Sequence, residues 1–328
     1  MTFRLHLESR RAQSPSFHLD EQAWRLAAAR HPELAAQVDV SFGWDGESLP
    51  AALETADGLI ASKFDKALVN AAPRLRWIHT TAAGVDGLMP LSELRSDILF
   101  SNSSGIHADK AGDFALMALL MLHTRMPEIT TSQRRHAWEP LLTTPIRGKK
   151  TVVFGFGDIG QAAGRAARTL GMDVVAVTRS GSPCPALPDI PVVPTSRLDS
   201  LLPDADFVVI AAPLTAETRG VFDARRLALL PSTAGLINMA RAPLVDYAAL
   251  AAILEQGMLA GAVLDVFDTE PLPAASPLWD GPRVIVTPHI SCDAPDYSLR
   301  VLDLWFQNFA RLQAGKPLLN QVDRDRGY

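Results

Sequence analysis

Thr151-Val152-Val153-Phe154-Gly155-Phe156-Gly157-Asp158-Ile159-Gly160 joins a short apolar run to a glycine-rich loop, and residues 161–170 continue with the composition of a helix. A second apolar run begins at Asp173. A strand that enters a helix through Gly-x-Gly-x-x-Gly is the opening of a βαβ unit able to hold a pyrophosphate. The glycines permit a tight turn and let backbone N–H groups come close to phosphate oxygens, while the helix N-terminus adds partial positive charge. The candidate cofactor residues of this loop are Gly155, Phe156, Gly157, Asp158, Ile159 and Gly160. The loop by itself is also compatible with a plain tight turn; the strand before it and the helix after it favour a dinucleotide.

Outward from this point the rhythm repeats. Apolar runs at 173–178, 207–211, 235–238, 261–264 and 284–286 complete one α/β unit with a parallel sheet. An earlier α/β unit has strands expected at 3–7, 38–42, 58–61, 77–81 and 98–101, with helical stretches such as 22–29 and 66–72 between them. Residues 109–125 are apolar almost all round, which implies a helix buried on several sides, and residues 138–145 read as an irregular, Pro- and Thr-rich arm. An amphipathic helix is expected over 296–314, ended by Gly315 and Pro317.

The 328 residues are 48% hydrophobic and 20% charged, a composition that excludes global disorder and suits two domains. A net charge of −5, with no block of like charge, gives no footprint for nucleic acid or an anionic membrane. Cys184 and Cys292 sit in no metal-ligand spacing, so no metal is expected. The N-terminus lacks a signal-like apolar core, and the reading is a cytoplasmic protein with a small-molecule partner.

The second strand of the cofactor unit ends in Thr178-Arg179-Ser180, 19 residues from Gly160 to the arginine. An acid at this place would bind the ribose hydroxyls of NAD. Arg179 instead suits a 2′-phosphate, with Ser180 donating a further hydrogen bond, so NADP is preferred and NAD remains possible. The competing reading of Arg179 is a solvated surface residue.

Three later segments place a chemically capable residue just beyond a strand: 237–246 with Arg241, 261–273 with Asp265 and Glu270, and 284–289 with His289. Together with the loop at Gly155 they closely resemble the D-isomer-specific 2-hydroxyacid dehydrogenase family, whose signatures read approximately GxGxxG, INxARGxxVD, DVFxxEPLP and TPH. The resemblance spans essentially the whole chain, including Thr81 to Asp86 and Ser103 to His107, and is of the glyoxylate/hydroxypyruvate reductase kind.

The resemblance implies that His289 protonates a carbonyl oxygen, that Glu270 hydrogen-bonds His289, and that Arg241 clamps the substrate carboxylate and polarises the carbonyl. It assigns Asp265 to the nicotinamide carboxamide and adds Ala212, Pro213, Thr218 and Ala240 to the cofactor contacts. It gives Ala83 and Gly84 to the substrate carboxylate through their backbone N–H groups. Taken singly, His289 also reads as a capping histidine, Glu270 as a solvated turn residue, and Arg241 as a partner of Asp246. His79 and His107 read as structural, and Cys292 as an inert buried thiol.

The fold implied is α/β, with two doubly wound parallel-sheet domains. A Rossmann cofactor domain, residues 106–292, is inserted into a flavodoxin-like substrate-binding domain made of 1–105 and 293–328. A homodimer formed through the cofactor domain, the helix from Asp109 and the following arm is expected. Two departures from the family pattern stand near the site, Ala242 after the arginine and Ser291-Cys292 after the histidine. Two other functions stay open: a non-catalytic dinucleotide sensor on the same scaffold, and an NAD-dependent formate dehydrogenase relative. That relative carries glutamine where this chain has Glu270, and a sensor would be expected to have lost a catalytic group.

Overall fold

Strands that are apolar on both faces must be covered on both, and the apolar runs of this chain all become strands of parallel sheets with helices on either side. The computed structural model describes residues 2–324. The chain forms two units, one made of the residues up to Ile106 and from Ala294 onward, the other of His107–Asp293.

In the first unit β1 (Phe3–Ser9), β2 (Val38–Trp44), β3 (Gly58–Ala61), β4 (Trp77–Thr80) and β5 (Leu99–Ser101) lie in the order β2-β1-β3-β4-β5, all parallel. This is the flavodoxin-like order. One face carries Leu59, Ile78 and Phe100 against Leu49, Leu53, Val69 and Leu75. The other is closed by the late helix Tyr297–Gln313, whose Trp305 stacks on Trp77 with ring centroids 5.3 Å apart and on Phe309 at 5.0 Å. The helix stops where Gly315 adopts a positive φ of +63°, a backbone state that costs glycine little.

In the second unit β6 (Lys150–Phe154), β7 (Asp173–Thr178), β8 (Val192–Pro194), β9 (Phe207–Ile210), β10 (Gly235–Asn238), β11 (Gly261–Leu264) and β12 (Val284–Val286) form a parallel sheet ordered β12-β11-β10-β9-β6-β7-β8. Chain order reverses between β6 and β9, the switch point beside which open α/β sheets bind ligands. The edge strand β8 was not expected from the sequence: it is three residues long, half-buried, and ends in Pro194, which cannot donate to a ladder. The helix Ala108–His123 buries Ala111, Phe114, Ala115, Ala118, Leu119 and Leu122, yet leaves Met117 and Leu120 exposed. A further helix, Met126–Arg134, also escapes the sequence reading; it follows Arg125 in left-handed backbone, and Pro127 sits in its first turn, where a missing N–H is harmless. Beyond it, residues 138–145 have no regular structure, and Trp138 and Leu142 are almost fully exposed.

No helix among the described residues is long and apolar enough to cross a membrane. Nor does any group of three His, Cys, Asp or Glu among them suit a metal ion.

At the end of β4, His79 is fully buried. The Ser101 hydroxyl accepts from Trp77 Nε1 at 2.9 Å and donates to His79 Nδ1 at 2.8 Å, whereas the Ser103 hydroxyl donates to Thr80 O at 2.9 Å and accepts from His79 Nε2 at 3.1 Å. The ring is therefore held neutral with its proton on Nε2, and burial pushes its pKa down from 6.5 to about 3. The unfolded chain binds this proton below pH 6.5 and the folded chain does not, so stability is lost as pH falls through that window. The expected loss from this residue steepens from about 0.7 kcal/mol per pH unit at pH 6.5 to about 1.4 kcal/mol per pH unit near pH 5. Urea titrations at several pH values are expected to show a shallower slope for His79→Gln; an unchanged slope excludes this origin.

Candidate active site

The loop after β6 is built by close approach. Gly155 has a φ of +89°, and a Cβ placed there would lie 2.4 Å from the backbone N and Cα of Ala212. A Cβ on Gly160 would lie 1.9 Å from the Gly155 carbonyl oxygen. Gly157 differs from both, because a Cβ there would meet nothing within 4 Å. It caps the helix Asp158–Thr169, so the free N–H end of that helix opens beside an uncrowded glycine. Phe156 is buried and Ile159 half-buried, and both pack in the core beneath the loop, while Asp158 is exposed.

At the neighbouring strand end, Ala212 is buried and Pro213 exposed, and Pro213 O accepts from the Thr218 hydroxyl at 2.7 Å. Past β7, Arg179 and Ser180 are exposed, and the Ser180 hydroxyl accepts from Ser182 N at 3.2 Å in a small turn. Ala83 and Gly84 lie in the first unit, in the turn after β4, where Ala83 O accepts from Asn102 Nδ2 at 2.7 Å.

The ends of β10, β11 and β12 carry the other candidates. After β10, Asn238 is fully buried: its Oδ1 accepts from Ala240 N at 3.2 Å, and its Nδ2 donates to Arg241 O at 3.1 Å. Arg241 is half-buried and donates from Nη1 to Ala240 O at 2.8 Å. Asp246 instead caps the helix Tyr247–Glu255 by accepting from Ala249 N. The Tyr247 hydroxyl accepts from Asn238 Nδ2 and donates to Val266 O at 2.8 Å, tying β10 to β11; burial raises its pKa.

After β11, the fully buried Asp265 carboxylate accepts from Thr287 Oγ1 at 2.6 Å, Ile290 N at 2.9 Å and Ser291 N at 2.8 Å. Those donors flank His289, whose φ is +54°, an uncommon state for a non-glycine residue that persists only when its surroundings impose it. His289 Nδ1 meets Glu270 Oε2 at 2.7 Å, and Glu270 Oε1 accepts from Phe267 N at 2.9 Å. A carboxylate only accepts, so Nδ1 carries a proton, and Nε2 is the ring nitrogen that this contact leaves unused. Next to this loop, burial raises the Asp293 carboxyl, with His289 opposing, and lifts the Cys292 thiol to about 11. A thiol so placed is unreactive at neutral pH.

Arg241, Asp265, Glu270 and His289 all belong to one unit and to one edge of its sheet. Residues 116–291 match the sequence profile described as D-isomer specific 2-hydroxyacid dehydrogenase, NAD binding domain. The chain belongs to the D-isomer specific 2-hydroxyacid dehydrogenase family. A glyoxylate reductase of Thermococcus kodakarensis is 36% identical over 241 residues, 71% of this chain and 72% of that protein. A solved D-isomer specific 2-hydroxyacid dehydrogenase from Xanthobacter autotrophicus Py2, in complex with NADPH and MES, is 32% identical with a TM-score of 0.84 over the whole of both chains. The NADPH-dependent glyoxylate/hydroxypyruvate reductase of Sinorhizobium meliloti, in complex with NADP and sulfate, is 26% identical with a TM-score of 0.81, again over both chains entire.

This 2-hydroxyacid dehydrogenase uses a nicotinamide dinucleotide, and its loop fits one: two glycines close the turn against the neighbouring backbone, and the third leaves space for phosphate. Sequence reasoning missed Asn238, Tyr247, Thr287 and Ser291, which hold the site from behind. The dehydrogenase is expected to tolerate Gly157→Ala with a stability loss under about 1 kcal/mol, but to bind NADPH roughly tenfold more weakly. Gly160→Ala is expected to lower stability by about 1–3 kcal/mol, because the loop must move, and to lose the cofactor as well. Fluorescence titration and urea unfolding of both variants check the contrast; equal stability losses contradict it.

Proposed function

We propose that this dehydrogenase reduces a small 2-oxo acid of the glyoxylate or hydroxypyruvate kind to the D-2-hydroxy acid, with NADPH as the preferred cofactor. The observation that carries the proposal is the His289–Glu270 pair at 2.7 Å, set in an imposed left-handed turn at the same sheet edge as Arg241. The glyoxylate reductase and the glyoxylate/hydroxypyruvate reductase among its relatives support the substrate class.

In this reading the bound nicotinamide supplies the hydride. His289 delivers a proton from Nε2 to the carbonyl oxygen, and Glu270 keeps the proton on Nδ1 and the ring in one orientation. Arg241 faces the carboxylate and the oxygen that gains charge, a two-pronged contact that a lysine would serve poorly. The N–H groups of Ala83 and Gly84 take the carboxylate. Asp265, besides its assigned place beside the carboxamide, acts by holding the His289 turn. Residues 106–292 serve as the dinucleotide-binding domain, with contacts from Gly155 to Gly160, Ala212, Pro213, Thr218 and Ala240; residues 1–105 with 293–328 serve as the substrate-binding domain. A homodimer using the exposed Met117, Leu120, Trp138 and Leu142 belongs to the same proposal.

NADP is preferred because Thr178-Arg179-Ser180 offers a guanidinium and a hydroxyl past β7 and no carboxylate that would repel a 2′-phosphate. Relatives solved with NADPH and NADP support this choice.

His289→Asn and Arg241→Ala are each expected to lower kcat/KM for glyoxylate by at least about a hundredfold with unchanged melting temperature. Near-normal turnover in either variant overturns the assignment. Wild-type enzyme is expected to favour NADPH over NADH by roughly tenfold, and Arg179→Ala to remove most of that preference by raising KM for NADPH alone. Steady-state kinetics with both cofactors on both proteins decides the matter.

A further inference from the structure

The turn after β4 runs Thr81-Ala82-Ala83-Gly84. In a trans peptide plane the carbonyl and the following N–H point in opposite directions, so whatever grips a carbonyl aims the next N–H. Three successive carbonyls here are gripped. Thr81 O accepts from the Tyr297 hydroxyl at 2.7 Å, Ala82 O from Ser103 N at 3.1 Å, and Ala83 O from Asn102 Nδ2 at 2.7 Å. The second and third planes carry the N–H groups of Ala83 and Gly84, and neither N–H has an acceptor among the described residues. Adjacent backbone donors held in this way form a concavity suited to a carboxylate oxygen.

Only one grip on these two planes is a side chain, that of Asn102. It is 4% exposed, its Oδ1 accepts from Ser104 N at 3.1 Å, and its own N donates to Asn320 O at 3.1 Å. The amide cannot swing without breaking these bonds. Ser103, which grips the preceding plane, is itself held through Thr80 O and His79.

We infer that Asn102 is a positioning residue for the substrate carboxylate: by holding the Ala83 carbonyl, its side-chain amide aims the Gly84 N–H. The inference rests on the proposed assignment of the carboxylate to Ala83 and Gly84. Asn102→Asp keeps the shape and the acceptor but loses the donor, and Asn102→Ser loses it without adding charge.

Both variants are expected to raise KM for glyoxylate and the inhibition constant of oxamate roughly tenfold, with the NADPH dissociation constant unchanged. Should Asn102→Asp fail to fold, Asn102→Ser carries the comparison. Amide NMR of the NADPH-saturated wild type separates the two levels of the reading. If oxamate leaves the Ala83 and Gly84 amide resonances unmoved, the carboxylate assignment itself falls. If those resonances move but the folded Asn102 variants keep the wild-type KM, or lose NADPH affinity in parallel, the role of Asn102 is overturned.

Discussion

A carboxylate with no access to water must be surrounded by donors, because an unpaired buried charge costs several kcal/mol. Asp265 at the end of β11 meets that demand with a hydroxyl and two backbone N–H groups, all from the segment after β12. The donors at Thr287, Ile290 and Ser291 bracket His289, so satisfying Asp265 fixes the path of the chain on both sides of the histidine. The left-handed state of His289 is thereby imposed from outside. The ring direction, the Glu270 contact and the freedom of Nε2 all follow. Asp265 N donates to Asn238 O, and Asn238 in turn holds the backbone at Ala240 and Arg241, so one buried polar chain links the arginine and the histidine.

Much of this was legible in the sequence. The glycine loop and the parallel α/β rhythm stand in patterns that local composition makes visible, whereas the doubly wound arrangement and the expected roles of Arg241, Asp265, Glu270 and His289 came from the resemblance to the family. The pieces that were not legible are of two kinds. Strand β8 is short and ends in proline, and the helix Met126–Arg134 carries Pro127 in its first turn; both exist because neighbouring elements pair with or support them. Tyr247, Thr287 and Asn102 act through partners that are remote in sequence or are backbone atoms, and no periodicity announces such contacts. Asn238 and Thr287 did lie inside recognisable motifs, and their roles appear only when the hydrogen bonds are followed.

The same logic governs both halves of the chain. In each, the proposed site is made of backbone groups or a few side chains, and a buried polar layer lies directly behind it: Asp265 and Asn238 in one unit, Asn102, Ser103 and His79 in the other. Such layers are costly when incomplete and rigid when complete. Burial keeps His79, in the layer behind the Ala83 turn, neutral down to a pH of about 3.

The stacking of Trp305 on Trp77 has a bearing on how the chain emerges from the ribosome. The two rings are separated by the whole of the second unit, so one face of the first sheet, with Phe3 and Trp77, is only partly covered, by Leu19, Ala23 and Ala27, until translation has passed Phe309. The unit His107–Asp293 is contiguous and can close earlier. The strands made before the second unit are thus completed only after it, and for that interval part of their aromatic surface lacks the cover it has in the folded chain.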